Sequence, residues 1–197
     1  MRVFAKRAEP FEWKLHAHDR PADLAAHLTA AGLLPESEET VVIAELAGVA
    51  RETRLPDGVS LREVRERGDF ERIAAMEHTI SGDDRSWLVT SLEAERALDP
   101  DALAVYVAEA GGAVVCAGWV RFEPRSDFAT LWGGGTLPRW RGRGIYRAIV
   151  AHRAQAAARR GYRYLEVDAS DASRPILERL GFVAVTKTTP YVWSPGA

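Results

Sequence analysis

The sequence predicts an α/β or α+β domain built on a mixed sheet, and three observations predict it. Short alternating or β-branched segments recur along the chain, separated by amphipathic segments of helical period. Glycine, proline and aspartate punctuate the joins between them. The 197 residues are 47% hydrophobic and 27% charged, the composition of a globular protein and the length of one large domain or one domain plus a partial second.

Taken in order, Phe11 to His16 (FEWKLH) alternates as a strand. Asp19 is the expected N-cap of a helix through DRPADLAAHLTAAG, with Pro21 in its first turn and Gly32 as its stop. Thr40 to Leu46 (TVVIAEL) is a β-branched strand. The polar stretch from Gly48 to Gly58, with Pro56 and Asp57, is the expected domain boundary. It divides the chain into an N-terminal βαβ extension, residues 1–55, and a main domain, residues 56–197.

Beyond it, Val59 to Val64 alternates as a half-buried strand. Asp69 opens an amphipathic helix with Phe70, Ile73, Ala74 and Met76 inward. A second helix follows Ser86, with Trp87, Leu88 and Leu92 as its apolar residues. Leu103 to Glu109 and Ala113 to Phe122 form a hairpin through Gly111-Gly112. Phe128 to Leu137 is a strand interrupted by Gly133, Gly134 and Gly135. A helix beginning near Gly144 carries Ile145, Ala148, Ile149, His152 and Ala156 and stops at Gly161. Tyr164 to Val167 is a strand, Arg174 to Leu180 a short helix closed by Gly181, and Val183 to Val192 the last strand. The order strand, polar turn, Arg-Pro, short helix, glycine, strand occurs at Arg20-Pro21 and Gly32, and again at Arg174-Pro175 and Gly181. The first occurrence reads as a degenerate half of the second, or as the ordinary likeness of short βαβ pieces.

Composition excludes several classes. A single cysteine, Cys116, forms no internal disulfide, which fits a reducing, cytoplasmic compartment. No run of 18 apolar residues spans a membrane, and the N-terminal MRVFAKRAEPFEWK lacks the apolar stretch of a signal peptide. The net charge is −2, but it is unevenly spread. Phe128 to Leu165 contains eight arginines and no acid, which leaves −10 for the other 159 residues. A basic centre in an acidic chain points to a local anionic ligand. The acidic remainder argues against a nucleic acid on Arg153, Arg159, Arg160 and Arg163.

The stretch TLWGGGTLPRWRGRGIYRAIV, Thr130 to Val150, carries the chemistry. A strand ends at Leu137-Pro138, an Arg/Gly turn follows, and a helix begins. The first amides of a helix have no partner within it and its dipole favours negative charge there, so this is a pyrophosphate site. Arg141, Arg143 and Arg147 supply charge suited to phosphate oxygens. No GKS or GKT makes it a Walker loop, and Arg147 stands where the dinucleotide fingerprint needs its third glycine.

The stretch resembles motif A, R/Q-x-x-G-x-G/A, of the GNAT family of acyl-CoA N-acyltransferases, on Arg141-Gly142-Arg143-Gly144-Ile145-Tyr146. ILERLGF, Ile176 to Phe182, resembles the family's closing segment, and the likeness extends over Val59 to Val192. The resemblance implies a mostly antiparallel mixed sheet flanked by helices, and acetyl-CoA as acyl-donor cosubstrate. It implies that amides of Gly142, Arg143, Gly144, Ile145, Tyr146 and Arg147 hold the pyrophosphate, with pantetheine pairing to backbone near Leu137. It implies an N-acetyltransferase acting on an amine-bearing acceptor by direct transfer. The alternative is a non-catalytic acyl-CoA-binding or regulatory module. Nucleic-acid and membrane partners are not expected, and a homodimer is left open.

Two residues depart from the family pattern. Tyr146 occupies the position of the final small residue of motif A. Leu177 stands where many members have a tyrosine that protonates the leaving thiolate, and leucine donates no proton; Ser170 stands where asparagine is common. Glu109, Glu123, Glu166 and Asp168, on or beside strands, are the carboxylates considered as base, each more simply a salt-bridged or solvated group. An oxyanion donor is expected among strand amides near Leu137. Tyr146, Tyr164 and Tyr191 are the phenols available as acid. The triplet Gly133–Gly135 either leaves room beside a thioester or marks a bulge. His16 and His18 lack a third spaced ligand, so no metal is expected. His152 reads as a boundary residue and Cys116 as a buried small hydrophobe. Trp119, Trp132 and Trp140 are core residues by default, or walls of an acceptor pocket.

Overall fold

The computed structural model describes residues 10–51 and 53–195. Most of the segment read against a signal peptide, residues 1–9, and Glu52 of the expected boundary lie outside them. In chain order the elements are β1 (Phe11–His16), α1 (Leu24–Ala30), β2 (Leu34–Pro35), β3 (Glu39–Glu45), α2 (Leu46–Val49) and β4 (Val59–Val64). Then come α3 (Arg67–Ser81), α4 (Trp87–Leu98), β5 (Leu103–Ala110), β6 (Ala113–Phe122) and β7 (Phe128–Thr136). A 3₁₀ turn (Pro138–Trp140), α5 (Ile145–Arg159), β8 (Tyr164–Ala169), α6 (Arg174–Arg179) and β9 (Val183–Trp193) complete the chain. The class is mixed α/β with mostly antiparallel pairing. The chain divides into two compact units, residues 44–167 and residues 1–43 with 168–197.

In the larger unit β4, β5, β6 and β7 pair antiparallel in sequence order, and β8 joins β7 in parallel. Val105 and Val107 face the helices α3 and α4, packing with Phe70, Ile73, Leu88 and Leu92, all 6% exposed or less. Removing each such side chain from water contributes about 1.5–3 kcal/mol. The period of two turns Tyr106 to the opposite face, where its ring meets His152 of α5 edge-on at 4.9 Å. Helices therefore cover both faces. The four inward residues expected of α3 are all buried, although the helix begins at Arg67 rather than Asp69. Trp87 is exposed and leaves Leu88 and Leu92 to anchor α4.

In the smaller unit β9 lies between β1 on one edge and β2 with β3 on the other, each pair antiparallel. Leu28, Leu33 and Tyr191 form its core, with Phe11, Leu15 and Trp193 packed against them. The helix expected from Asp19 starts later, at Leu24. The Asp19 carboxylate instead accepts the His16 N–H at 2.9 Å and closes the turn after β1, leaving Pro21 ahead of the helix. The ends of α1 and α6 are bonded alike. Leu33 N–H reaches Leu28 O at 3.1 Å, and Phe182 N–H reaches Leu177 O at 3.1 Å, each across a glycine.

Candidate active site

Strands β7 and β8 pair over only three registers, Phe128 with Tyr164, Ala129 with Leu165 and Thr130 with Glu166. Beyond Thr130, β7 runs on to Thr136 without β8 beside it. The edge of β7 that leads to the Arg/Gly turn is therefore left open by β8, a cleft in the hydrogen bonding of the sheet. The other edge stays paired with β6, but irregularly: Gly118 faces Gly133 while Cys116 faces Thr136, so β7 carries one extra residue there.

The glycine triplet sits in that bulge, and three bulky side chains explain it. A Cβ on Gly133 would stand 2.4 Å from the Trp119 ring, one on Gly134 2.7 Å from Tyr146, and one on Gly135 2.3 Å from the Glu77 carboxylate. Of the two sequence readings, the bulge and tight packing is the one observed. The bared backbone is filled from the α3 face by Trp119 and Glu77, and from the α5 face by Tyr146.

The turn after β7 has the geometry of an anion cradle. Gly144, at φ +81°, is the N-cap of α5, a conformation that a side-chain-bearing residue adopts at a cost. The first intrahelical bond runs from Ala148 N–H to Gly144 O at 3.0 Å, so the amides of Ile145, Tyr146 and Arg147 precede the ladder. Arg141 donates its Nε to Thr136 O at 3.0 Å, tying the turn to the strand end. Arg143 lies 4.8 Å over the Trp140 ring. Leu137, expected to offer backbone to a ligand, has its N–H committed to Val115 O at 3.0 Å. The oxyanion donor expected near it is therefore not its own amide. Its side chain lines an open groove of about 560 Å³ with Arg72, Met76, Val114 and Pro138.

Arg153, which the sequence weighed as a nucleic-acid contact and disfavoured, is 1% exposed and donates to Trp119 O at 3.1 Å and Trp132 O at 2.9 Å. It spans the bulged strand pair from beneath, and burial depresses its pKa. Arg160 lies 3.9 Å over Phe122, and Arg163 pairs with Asp127, so neither faces the cradle.

The expected acid and base candidates separate sharply. Glu109 accepts from Arg62 at 2.9 Å and Arg72 at 2.6 Å, and those guanidiniums hold its pKa low. Asp168 and Glu39 share Lys14, at 3.1 and 2.6 Å. Glu123 receives the Thr130 hydroxyl at 3.4 Å. Glu166 stands on the paired stretch of β8. Tyr164 stacks on Phe128 at the closed end of the cleft, and Tyr191 is buried in the smaller unit. Tyr146 alone of the three phenols lies at the bulge, and burial raises its pKa. Leu177 is fully buried, so no exposed group occupies the place of the family tyrosine. Cys116 is buried with its thiol pushed up to about 11, mainly by desolvation. Among the described residues no group of three potential metal ligands occurs.

Sequence reasoning missed Glu77. One of its carboxylate oxygens is buried without a hydrogen-bond partner, and burial raises its pKa. A signal was present: Phe70, Ile73 and Ala74 set the inward stripe of α3, and Glu77 is its next member at helical spacing.

An open strand edge that leads to a helix N-terminus with unpaired amides suits an anionic, extended ligand. The acetyltransferase (GNAT) family model matches residues 66–182, and the chain belongs to that family, the acyl-CoA-dependent N-acetyltransferases. Solved structures share the fold at low identity. A GCN5-related N-acetyltransferase from Kribbella flavida is 18% identical with TM-score 0.67, covering 100% of this chain and 72% of its own. A tandem GNAT protein from the clavulanic acid biosynthesis pathway is 16% identical with TM-score 0.66, covering 100% and 67%. A predicted acetyltransferase with acetyl-CoA from Clostridium acetobutylicum is 17% identical with TM-score 0.56, covering 64% and 91%. No curated protein matches the chain.

Proposed function

We propose that this chain moves an acetyl or other short acyl group from acyl-CoA to a primary amine, directly, in a ternary complex. The observation that carries the reading is the cradle. Left-handed Gly144 directs the free amides of Ile145 to Arg147 outward beside Arg141, Arg143 and Arg147, a donor set matched to a diphosphate. Such a diphosphate places its attached chain along the cleft beside β7. Tyr146, a phenol already protonated at neutral pH and held more firmly so by burial, is the group assigned in this reading to return a proton to the leaving sulfur in place of Leu177. Residues 1–55 are read as an extension resembling a degenerate half of the same fold, supported by the matching ends of α1 and α6. The unpaired Cys116 supports a cytoplasmic setting.

Isothermal titration with acetyl-CoA tests the cradle. The wild-type chain should bind, and Gly144→Glu, which sets a carboxylate against the phosphates, should weaken binding about 100-fold or more. Gly144→Ala measures the backbone strain alone, since its Cβ would meet nothing closer than Arg147 at 3.7 Å. Wild-type protein that fails to bind millimolar acetyl-CoA, or equal affinity in Gly144→Glu, refutes the reading.

A further inference from the structure

We propose that Glu77 is the general base that takes the proton from the acceptor amine; the assignment rests on the acyl-transfer reading above and names a catalytic group for it.

Glu77 occupies a place where stability alone favours an apolar side chain. It follows Phe70, Ile73 and Ala74 on the inward stripe of α3. Its Oε1 is shielded from solvent and has no hydrogen-bond partner. Burying a carboxylate oxygen unpaired is costly, and groups of this kind concentrate where they act on a ligand. The surroundings are built to admit it. Gly135 bares the β7 backbone directly beneath the carboxylate, and any Cβ there would collide with both oxygens, at 2.3 and 2.8 Å. Gly135 has an ordinary φ, so contact rather than backbone conformation requires glycine at this position.

Position within the site fits the role. Gly135 lies two residues before Leu137 and the anion cradle. Gly134, one residue back, receives Tyr146 on the opposite face of the strand. The cradle at the start of α5 thus lies on one face of β7 and Glu77 on the other. A cosubstrate anchored in the cradle and laid along the cleft presents its thioester at the strand edge, open to an amine arriving on the α3 side. The other strand-borne carboxylates considered are held elsewhere: Glu109 by two arginines and Asp168 by Lys14.

The charged and titratable groups facing Glu77 are Arg85, after α3, and the neutral Cys116 thiol on β6. Arg85 and the Gly135 amide favour the carboxylate, and burial outweighs both, so the carboxyl is held above its ordinary range, the direction that strengthens a base. In the step, the ammonium gives one proton to a Glu77 oxygen and its nitrogen lone pair forms the C–N bond. The tetrahedral centre collapses with cleavage of the C–S bond. The sulfur leaves with the electron pair of the C–S bond and takes a proton from the Tyr146 phenol to become the free thiol. The second nitrogen proton replaces the one Tyr146 gave, the third stays on the amide, and Glu77 releases its proton to solvent.

The test uses the full chain, acetyl-CoA, and n-butylamine, spermidine and glucosamine as acceptor probes, with free thiol as the readout. Glu77→Gln should cut amine-dependent release about 100-fold while acetyl-CoA affinity stays within about 3-fold; Glu77→Asp should retain an intermediate rate. The wild-type kcat/KM should fall on the acid side with an apparent pKa above the ordinary carboxylate range, and Glu77→Gln should lose that limb. Without any ligand, the Gly135 amide resonance should titrate with the Glu77 carboxyl. Glu77→Gln turnover close to wild type, or an unchanged acid limb, overturns the assignment. Failure of wild type to bind acetyl-CoA overturns the acyl-transfer reading instead. Binding without amine-dependent release from any probe overturns the base and leaves a CoA-binding module.

Discussion

Gly135→Ala isolates the contact on which the site depends. Because Gly135 is not in the left-handed region, alanine carries no backbone penalty there, and the perturbation is one methyl group against one carboxylate. The Cβ would stand 2.3 Å from Glu77 Oε1, while ordinary contact begins at 3.4 Å. The carboxylate must therefore retreat by about 1.1 Å. A misplacement of about 1 Å costs on the order of 100-fold in rate. Glu77 ends a flexible side chain, so the stability cost is about 1 kcal/mol, the low end for added volume in a packed site. Thiol release with acetyl-CoA and n-butylamine measures the rate, and thermal unfolding measures the stability. The decisive comparison is the double variant: added to Glu77→Gln, Gly135→Ala should cost little further, because the group it displaces is already disabled. A Gly135→Ala rate within about 3-fold of wild type refutes the reasoning, as does a double variant whose losses multiply.

Arg153→Met removes the donor shared by Trp119 O and Trp132 O. It should destabilise the chain by about 2–4 kcal/mol, a fall of about 5–15 °C in Tm, with acetyl-CoA affinity nearly unchanged where the variant is folded. Scanning calorimetry with titration checks both, and a specific loss of affinity would contradict the purely structural role of Arg153. Glu77 also affects stability in a pH-dependent direction. Its folded pKa is raised, so the stability linked to it is complete at pH below the ordinary carboxylate value and is lost as pH rises through the folded value. Glu77→Gln should therefore raise Tm at pH 8 relative to wild type and change it little at pH 4. Equal shifts at both pH values would contradict a carboxyl group whose pKa is raised by burial.

Local signals in the sequence carried most of the architecture. The helical stripe of Phe70, Ile73, Ala74 and Met76, the hairpin through Gly111-Gly112 and the strand-to-helix turn at Gly144 are all formed as their spacing predicts. Helix starts were less legible, since the Asp19 carboxylate found a nearer amide in the turn after β1 and left the N-terminus of α1 to Asp23.

By itself, then, the sequence determined the fold class and the strand–turn–helix geometry proposed above as an anion cradle, because both rest on patterns that neighbouring residues complete among themselves: period, turn chemistry and unpaired helix amides. Only the tertiary structure decided which charged and aromatic groups meet there. Arg153 sits on a helix rich in arginine, yet the packing of α5 against the bulged strands turns it inward to two carbonyls. Glu77 is 58 residues from Gly135 in sequence, and no local rule joins them. Their contact exists because α3 crosses β7 where the backbone carries no side chain, a coincidence that depends on packing across the sheet rather than on spacing along the chain.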